Sequence, residues 1–288
     1  MATLREIRDH MNSVSSIAKV TNAMQVVAAA QHQRLRGRAQ GASAYAEHSW
    51  RILCHLADAA HDELFDDPVF HARATRQAVA LVLVSSDRGL AGDYDQVIVQ
   101  DAYQFMQQQE VPVHLYTIGS NGREAMGRLG VEAVADLRLS TNVQLAEIAP
   151  LARELLDGYR EGLVDEVHIA YNQFLGGVRF SPTVRQLLPI QPEETTRRQY
   201  IYEPDPQSLL AELVPMVLRF QLFQAVLDAL TAETAARMLA MRVATRNAQD
   251  LIERLRVNYN KARQQAITNE MLDIVGGSSA VQQVSDRS

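Results

Sequence analysis

The chain has 288 residues, 47% of them hydrophobic and 22% charged, enough for one large core or two modest ones and too apolar for disorder throughout. Its net charge of −6 hides a segregation: six basic and two acidic residues over 1–40, thirteen and twenty-four over 41–206, nine and eight over 207–288. Cationic ends around an anionic middle are expected to meet a different partner from the middle itself, and the low aromatic content of the N-terminal excess, with a pI of about 5.8, argues against nucleic acid.

Cys54 is the single cysteine, which excludes an internal disulfide and a thiol-based metal or redox centre and fits a reducing compartment. The start, MATLREIRDH, is charged from residue 5 and lacks the apolar core of a signal peptide. The longest apolar run, Ala78 to Val84, is too short to span a bilayer, so no direct membrane insertion is expected.

In chain order, residues 1–67 contain no proline and only Gly37 and Gly41. Leu4, Ile7, Met11, Val14, Ala18 and Thr21 recur at helical steps, and Ile17, Val20, Met24 and Val27 form a second seam beside them, so a long helix with a broad, alanine-rich stripe is predicted. Thr3 and Glu6 have the spacing of a capping box. The acidic run Asp62, Glu63, Asp66 and Asp67 beside Pro68 reads as a solvated turn, and His48, His55 and His61 as solvated side chains.

Residues 75–195 change texture. The runs AVALVLVSS, VPVHLYTIG, VEAVADL, DEVHIAYNQF and TVRQLLPI read as strands, separated by helices at roughly Gln96–Gln109, Gly122–Leu129 and Val143–Glu161. That alternation predicts an α/β domain with a mainly parallel sheet and covering helices. Pro189, Pro192, Pro204 and Pro206 punctuate a connector. From Gln207 to Val275 there is no glycine, and Val217, Phe220, Leu227, Met238, Met241, Ala248, Ile252, Leu255, Tyr259, Ala262 and Ala266 keep a coiled-coil rhythm. A helix over 207–281 that pairs antiparallel with the first and protrudes is expected, followed by a polar tail at 282–288.

Chemistry is sparse. SSDRGLAGDYD lies where a phosphate loop would follow the first strand, but Gly89 and Gly92 do not complete G-x-G-x-x-G, and no G-x-x-x-x-G-K-[ST] occurs. The glycines read instead as turn residues, with Asp87 capping or bracing the turn. The eight histidines show no zinc spacing and no serine or cysteine sits in a nucleophile elbow, so no catalytic, cofactor or metal residue is assigned.

The segment ETAARMLAMRVATRNAQDLIERLRVNYNKARQQAITNEMLDIVGG, Glu233 to Gly277, resembles the C-terminal signature of the gamma subunit of F-type ATP synthases. LREIRDHMNSVSSIAKVTNAMQVVAAA, SSDRGLAGDYD and YIYEPDP occur in that family's order, so the resemblance covers nearly the whole chain. It implies a rotor shaft, an antiparallel coiled coil of both termini standing in a ring of alpha and beta subunits, with the α/β domain as a foot beside the epsilon subunit on the membrane c-ring. It implies a non-catalytic, cofactor-free subunit at the cytoplasmic face of the bacterial inner membrane, with the nucleotide chemistry on beta. By resemblance, Met24, Arg263, Gln264 and Thr268 are beta-subunit contacts, Tyr202, Glu203 and Asp205 face the c-ring, and Met271, Leu272, Ile274 and Val275 form the shaft tip. The chain departs from the family at Asn22, usually Lys, at Gln31 and His32 in a commonly basic patch, which shifts positive contacts toward Arg34, Arg36 and Arg38, and at Asp93 and Asp95 in the central loop. These departures leave a divergent or alternate form open. The residues alone leave two other readings, a stand-alone nucleotide-binding α/β enzyme with helical arms and a coiled-coil adaptor.

Overall fold

The computed structural model describes residues 3–59, 68–73, 75–140, 142–190, 203 and 205–285, with side chains set aside at 57–59, 206, 273 and 275–285. Five helices and five strands follow in the order α1 (Leu4–Ala59), β1 (Val79–Val84), α2 (Tyr94–Gln107), β2 (Val113–Ile118), α3 (Ser120–Arg128), β3 (Ala133–Leu137), α4 (Leu145–Arg160), β4 (Glu166–Gly176), β5 (Arg179–Leu188) and α5 (Pro206–Ser285). The chain divides into two compact units, one of residues 27–239 and one of residues 1–26 with 240–288.

The larger unit holds a five-stranded sheet in the order β3-β2-β1-β4-β5, parallel except for the antiparallel β4–β5 pair. All six residues of β1 are buried, as a continuous run of Val, Ala and Leu requires of a central strand covered on both faces. Edge strand β3 alternates half-buried and exposed residues instead. Leu81, Leu83, Leu115 and Ala170 face α2 and α3 through Ile98, Ala102 and Met126. On the other face Val82, Val84 and Ile169 share a core with Leu151 and Leu155 of α4, Leu35 and Leu53 of α1, and Val214 to Ala229 of α5.

Within this unit α1 and α5 run antiparallel. Their contacts step down α5 as they step up α1: His32 meets Thr231, Ser43 meets Gln224, and the Ala46 carbonyl accepts from Gln221 Nε2 at 3.2 Å. One stretch among the described residues, within Gln207–Leu272, is apolar and long enough to cross a membrane by composition, which run length alone overlooked, and 44% of that window is buried in the protein. Packing of α5 on α1 and the sheet accounts for its apolarity.

In the smaller unit the predicted capping box is formed: Thr3 N–H donates to Glu6 Oε2 at 2.8 Å and Glu6 N–H to Thr3 Oγ1 at 3.3 Å. Val14, Met241 and Ala248 are buried, and the Thr21 and Thr245 hydroxyls bond at 2.7 Å. The second seam differs from expectation: Ile17 and Val20 are 55% and 58% exposed, because one helical partner covers one stripe and the neighbouring stripe needs another surface. Helix α5 continues through Gly276 and Gly277 to Ser285, beyond the expected end at 281 and into the stretch expected as a tail. His61, the acidic run at 62–67 and the connector prolines at 192 and 204 lie outside the described residues.

A buried and a half-buried carboxylate in the larger unit, Asp165 and Asp228, carry opposite pH signatures. Desolvation pushes Asp165 up, but the N–H groups of Gln77 and Ala78 and the Arg73 guanidinium at 3.0 Å together outweigh it and hold it below its ordinary 3.8. Burial pushes Asp228 up to about 6, with only partial relief from Arg185. Asp165 therefore stabilises the fold above the unfolded carboxylate range and loses this as pH falls through its lowered pKa, whereas Asp228 weakens the fold increasingly as pH rises from about 4 to about 6. Urea unfolding at pH 7 should show Asp165→Asn destabilised by about 2–4 kcal/mol. Asp228→Asn should be stabilised by about 1–2 kcal/mol at pH 7, with no gain at about pH 4.

Candidate functional site

Burial on α5 in the smaller unit falls away in one step. Ile252, Leu255, Tyr259 and Ala262 are half-buried at three- and four-residue spacing, and from Arg263 onward every described side chain is exposed. The cause is length, since the unit contains α1 only from Leu4 to Val26 but α5 from Ala240 to Ser285. A helix without a partner is marginal in water, and this one presents Ile267, Met271, Leu272 and Ile274 at 50–67% exposure.

Arg263, Gln264 and Thr268 occupy the first turns past that boundary, on one helix and free toward solvent. Thr268 Oγ1 donates to the Gln264 carbonyl at 2.9 Å, a back-bond that leaves its lone pairs outward. Met24, on α1, is half-buried. The side chain of Val275 is outside the described set, while the other three tip residues are exposed.

Tyr202 lies outside the described residues and Glu203 is exposed. Asp205 caps α5, accepting from Ser208 N–H and Ser208 Oγ at 2.8 Å each, and the backbone bond, foremost, lowers its pKa. Its carboxylate is thus already engaged.

The loop between β1 and α2 is more organised than its sequence shows. Asp95 Oδ1 accepts from Ser86 N–H at 2.8 Å, and Asp95 Oδ2 from Ser86 Oγ at 2.6 Å and Asn121 Nδ2 at 3.0 Å. Asp87 braces rather than caps its own turn: Oδ1 takes the Ser120 N–H at 2.9 Å, fixing the start of α3. Gly119, at φ 98°, is required there because a Cβ would lie 2.3 Å from the Ser85 carbonyl oxygen. Arg237 of α5 clasps the loop through the Arg88 carbonyl at 2.8 Å and the Gly89 carbonyl at 3.4 Å, with Glu233 at 2.6 Å behind it. Held in this way, Leu90 sits at φ 67°, in the left-handed region that a leucine avoids, with 59% of its surface exposed.

The same geometry bears on nucleotide binding. A cavity of about 280 Å³ lies at the carboxyl ends of β1 and β2, where α/β folds hold ligands, and Asp87 and Glu233 line it together with Arg88 and Arg237. Where the helix start should offer N–H groups to a phosphate, α2 opens with Asp93 and Asp95. In the nearby basic stretch Arg38 is tied to Asn142 Oδ1 at 2.8 Å and to the Val143 carbonyl, while Arg34 and Arg36 are exposed. His32 is buried, with Nδ1 donating to the Thr231 carbonyl at 3.2 Å and its ring edge-on to Phe174. No group of three or more metal-ligating side chains forms among the described residues.

Long paired helices of unequal reach, with apolar and polar residues displayed past the pairing, define a protein that works as one subunit of a larger assembly. Residues 3–281 match the family model described as ATP synthase. Curated ATP synthase gamma chains from Laribacter hongkongensis and Symbiobacterium thermophilum are each 36% identical, with 98% and 96% of this chain and 100% and 98% of the relative covered. Solved structures agree in fold at low identity. A chain of the Euglena gracilis mitochondrial ATP synthase OSCP/F1/c-ring assembly matches with TM-score 0.67 at 15% identity, over 96% of this chain and 94% of that one. A chain of the Tetrahymena thermophila mitochondrial ATP synthase central stalk/c-ring matches with TM-score 0.63 at 20% identity, over 78% and 99%. The chain belongs to the ATP synthase gamma-chain family.

The clasp makes a double-mutant test. Arg237→Ala strands a buried Glu233 carboxylate, whose pKa burial already raises, and should cost about 3 kcal/mol in urea unfolding. Adding Glu233→Gln should recover about half of that, because the orphaned charge is removed.

Proposed function

We propose that this chain is the rotating shaft of its synthase, turning within a ring of alpha and beta subunits to couple ion flow through the membrane c-ring to ATP synthesis or hydrolysis on beta. In this reading the helices at 1–67 and 207–281 form the shaft, 75–195 the foot beside the epsilon subunit, and 282–288 a tail. The assembly is peripheral to the membrane; its place here is the cytoplasmic face of a bacterial inner membrane. The chain itself carries no catalysis.

The observation that carries this is the unpartnered end of α5, where Arg263, Gln264 and Thr268 precede the exposed Met271, Leu272 and Ile274. An apolar tip in an apolar sleeve slides without breaking directional bonds, so it resists rotation little. An arginine fork with a neighbouring amide does the reverse: it holds an acceptor in an orientation-dependent way, and contacts worth about 1–3 kcal/mol each define a dwell yet break on every step. Met24 and the exposed Ile17 and Val20 supply a second bearing surface on α1. The carboxylates at the start of α2 favour this reading over a stand-alone nucleotide-binding enzyme, since they repel a phosphate where such an enzyme needs to bind one.

Mixing the full chain with alpha and beta subunits should give an ATP-hydrolysing complex containing one copy of it. Replacing Arg263 and Gln264 together by Ala should leave assembly intact, because both side chains are exposed in the free chain, and should lower ATP turnover by about three- to tenfold. Unchanged turnover in the assembled complex would remove their role, and failure of the native chain to assemble would remove the shaft.

A further inference from the structure

We propose that Asn121 is a latent modification site: it loses ammonia to become aspartate when the first turn of α3 opens, and the new carboxylate unlatches the loop between β1 and α2. Asn121–Gly122 is the one Asn–Gly step in the chain. Asparagine is thermolabile, and a following glycine, with no Cβ beside its nitrogen, offers the least hindered attack on the side-chain amide. Gly122 N attacks Asn121 Cγ; the N–Cγ bond forms, the Cγ–Nδ2 bond breaks, and the Gly122 proton passes through water to the departing nitrogen, which leaves as ammonia. Water then opens the five-membered imide at either carbonyl, giving aspartate or isoaspartate. No electrons are exchanged, and one negative charge is gained.

The fold both requires this labile pair and holds it apart. A Cβ at Gly122 would lie 2.5 Å from Ser85 Oγ and 2.8 Å from Ser85 Cβ, so glycine is needed there. Asn121 is needed for its donors, since Nδ2 bonds Ser86 Oγ at 2.9 Å and Asp95 Oδ2 at 3.0 Å. The attacking nitrogen is withheld: Gly122 is buried, and its N–H donates at 2.9 Å to Ser85 Oγ, which is itself held by the Ile118 and Gly119 carbonyls at 3.1 Å each. Asn121 N–H bonds the Ser86 carbonyl at 3.1 Å, and both residues lie inside helix α3. Imide closure needs ψ at Asn121 turned well away from its helical value, so the first turn of α3 must first leave Ser85 and Ser86.

Conversion then prevents the turn from closing as before. An aspartate at 121 sets a second carboxylate against Asp95, where the structure now has a donor. Ser86 Oγ has one proton and already gives it to Asp95 Oδ2 at 2.6 Å, so it cannot satisfy both acids. The loop that Asp95 and α3 brace from one side, and Arg237 clasps from the other, loses its first support. Nothing in this assignment depends on rotation of the chain.

The test follows the exchange of ammonia for water at Asn121 by peptide mass spectrometry on the full chain, incubated at mildly alkaline pH with and without urea. Conversion is expected in urea and about a hundredfold slower in the folded chain. Ser85→Ala should speed the folded chain by about tenfold, the effect of one hydrogen bond on an opening equilibrium. Asp165→Asn, which weakens the fold away from this turn, should speed it less. No conversion in urea, equal rates with and without urea, or equal acceleration by Asp165→Asn overturns the site. If Ser85→Ala fails to fold, Ser86→Ala, which removes an acceptor of Asn121 Nδ2, takes its place with the same outcomes. For the unlatching, hydrogen exchange at the Ser86 amide should be about tenfold faster in Asn121→Asp than in Asn121→Ala, and that gap should close when Asp95→Asn is added. Equal exchange in the two single variants overturns the unlatching.

Discussion

Two helices of unequal reach wind against each other, and the mismatch governs the rest of the molecule. A helix in a pair buries one stripe, and the burial of each Val, Leu or Met in that stripe contributes about 1.5–3 kcal/mol. Val14, Met241 and Ala248 receive this stabilisation inside the chain. Ile17, Val20, Ile267, Met271 and Leu272 do not, although they are equally apolar. Their cost in solubility makes sense when another surface completes the burial.

The α/β unit puts the same economy to another use. Its sheet is covered on both faces, and beside the cavity at the ends of β1 and β2 the chain's own carboxylates take up the hydrogen-bond donors. Asp95 takes three hydrogen bonds from Ser86 and Asn121, and Asp87 takes the first N–H of α3. These carboxylates do the work that a phosphate would do in a nucleotide-binding protein: they neutralise the donors that gather at strand ends and helix starts. The ligand region has become a rigid mount for the outward loop that Arg237 clasps and Leu90 tops.

How much of this could be read from the residues depends on the range of the interaction. All five strands stand where β-branched runs lie, because burial of a strand on both faces demands continuous apolar sequence; VALVLV is the clearest case. Helix α2 starts at Tyr94 rather than Gln96, within ordinary fraying of such boundaries. The Thr3–Glu6 cap was legible because both partners sit within one turn. By contrast, Asp95 meets Asn121 across 26 positions and Arg237 meets Arg88 across 149, and no periodicity encodes such pairs. The resemblance of Glu233–Gly277 to gamma subunits placed Arg263 and Gln264 as contacts, but it could not show that pairing ends just before them. That boundary follows from where α1 starts, a fact about a segment more than two hundred residues away. Asp205 adds a role that the resemblance did not give: its carboxylate caps α5.

The charge segregation also changes meaning in three dimensions. A count of basic residues treats Arg38, Arg237 and Arg263 as equivalent, yet the first two spend their guanidinium groups on carbonyls and side chains of their own chain. Only the third projects past the helix pair with its donors open. An exposed, unengaged arginine retains its full hydration and rotamer freedom, so it gains from a partner only if that partner supplies several oxygens in fixed geometry. A contact of that kind depends on orientation, because water reclaims the guanidinium wherever the acceptors are not presented correctly. Net positive charge at the chain ends therefore counts cations of two kinds, those the fold has engaged and those it leaves open.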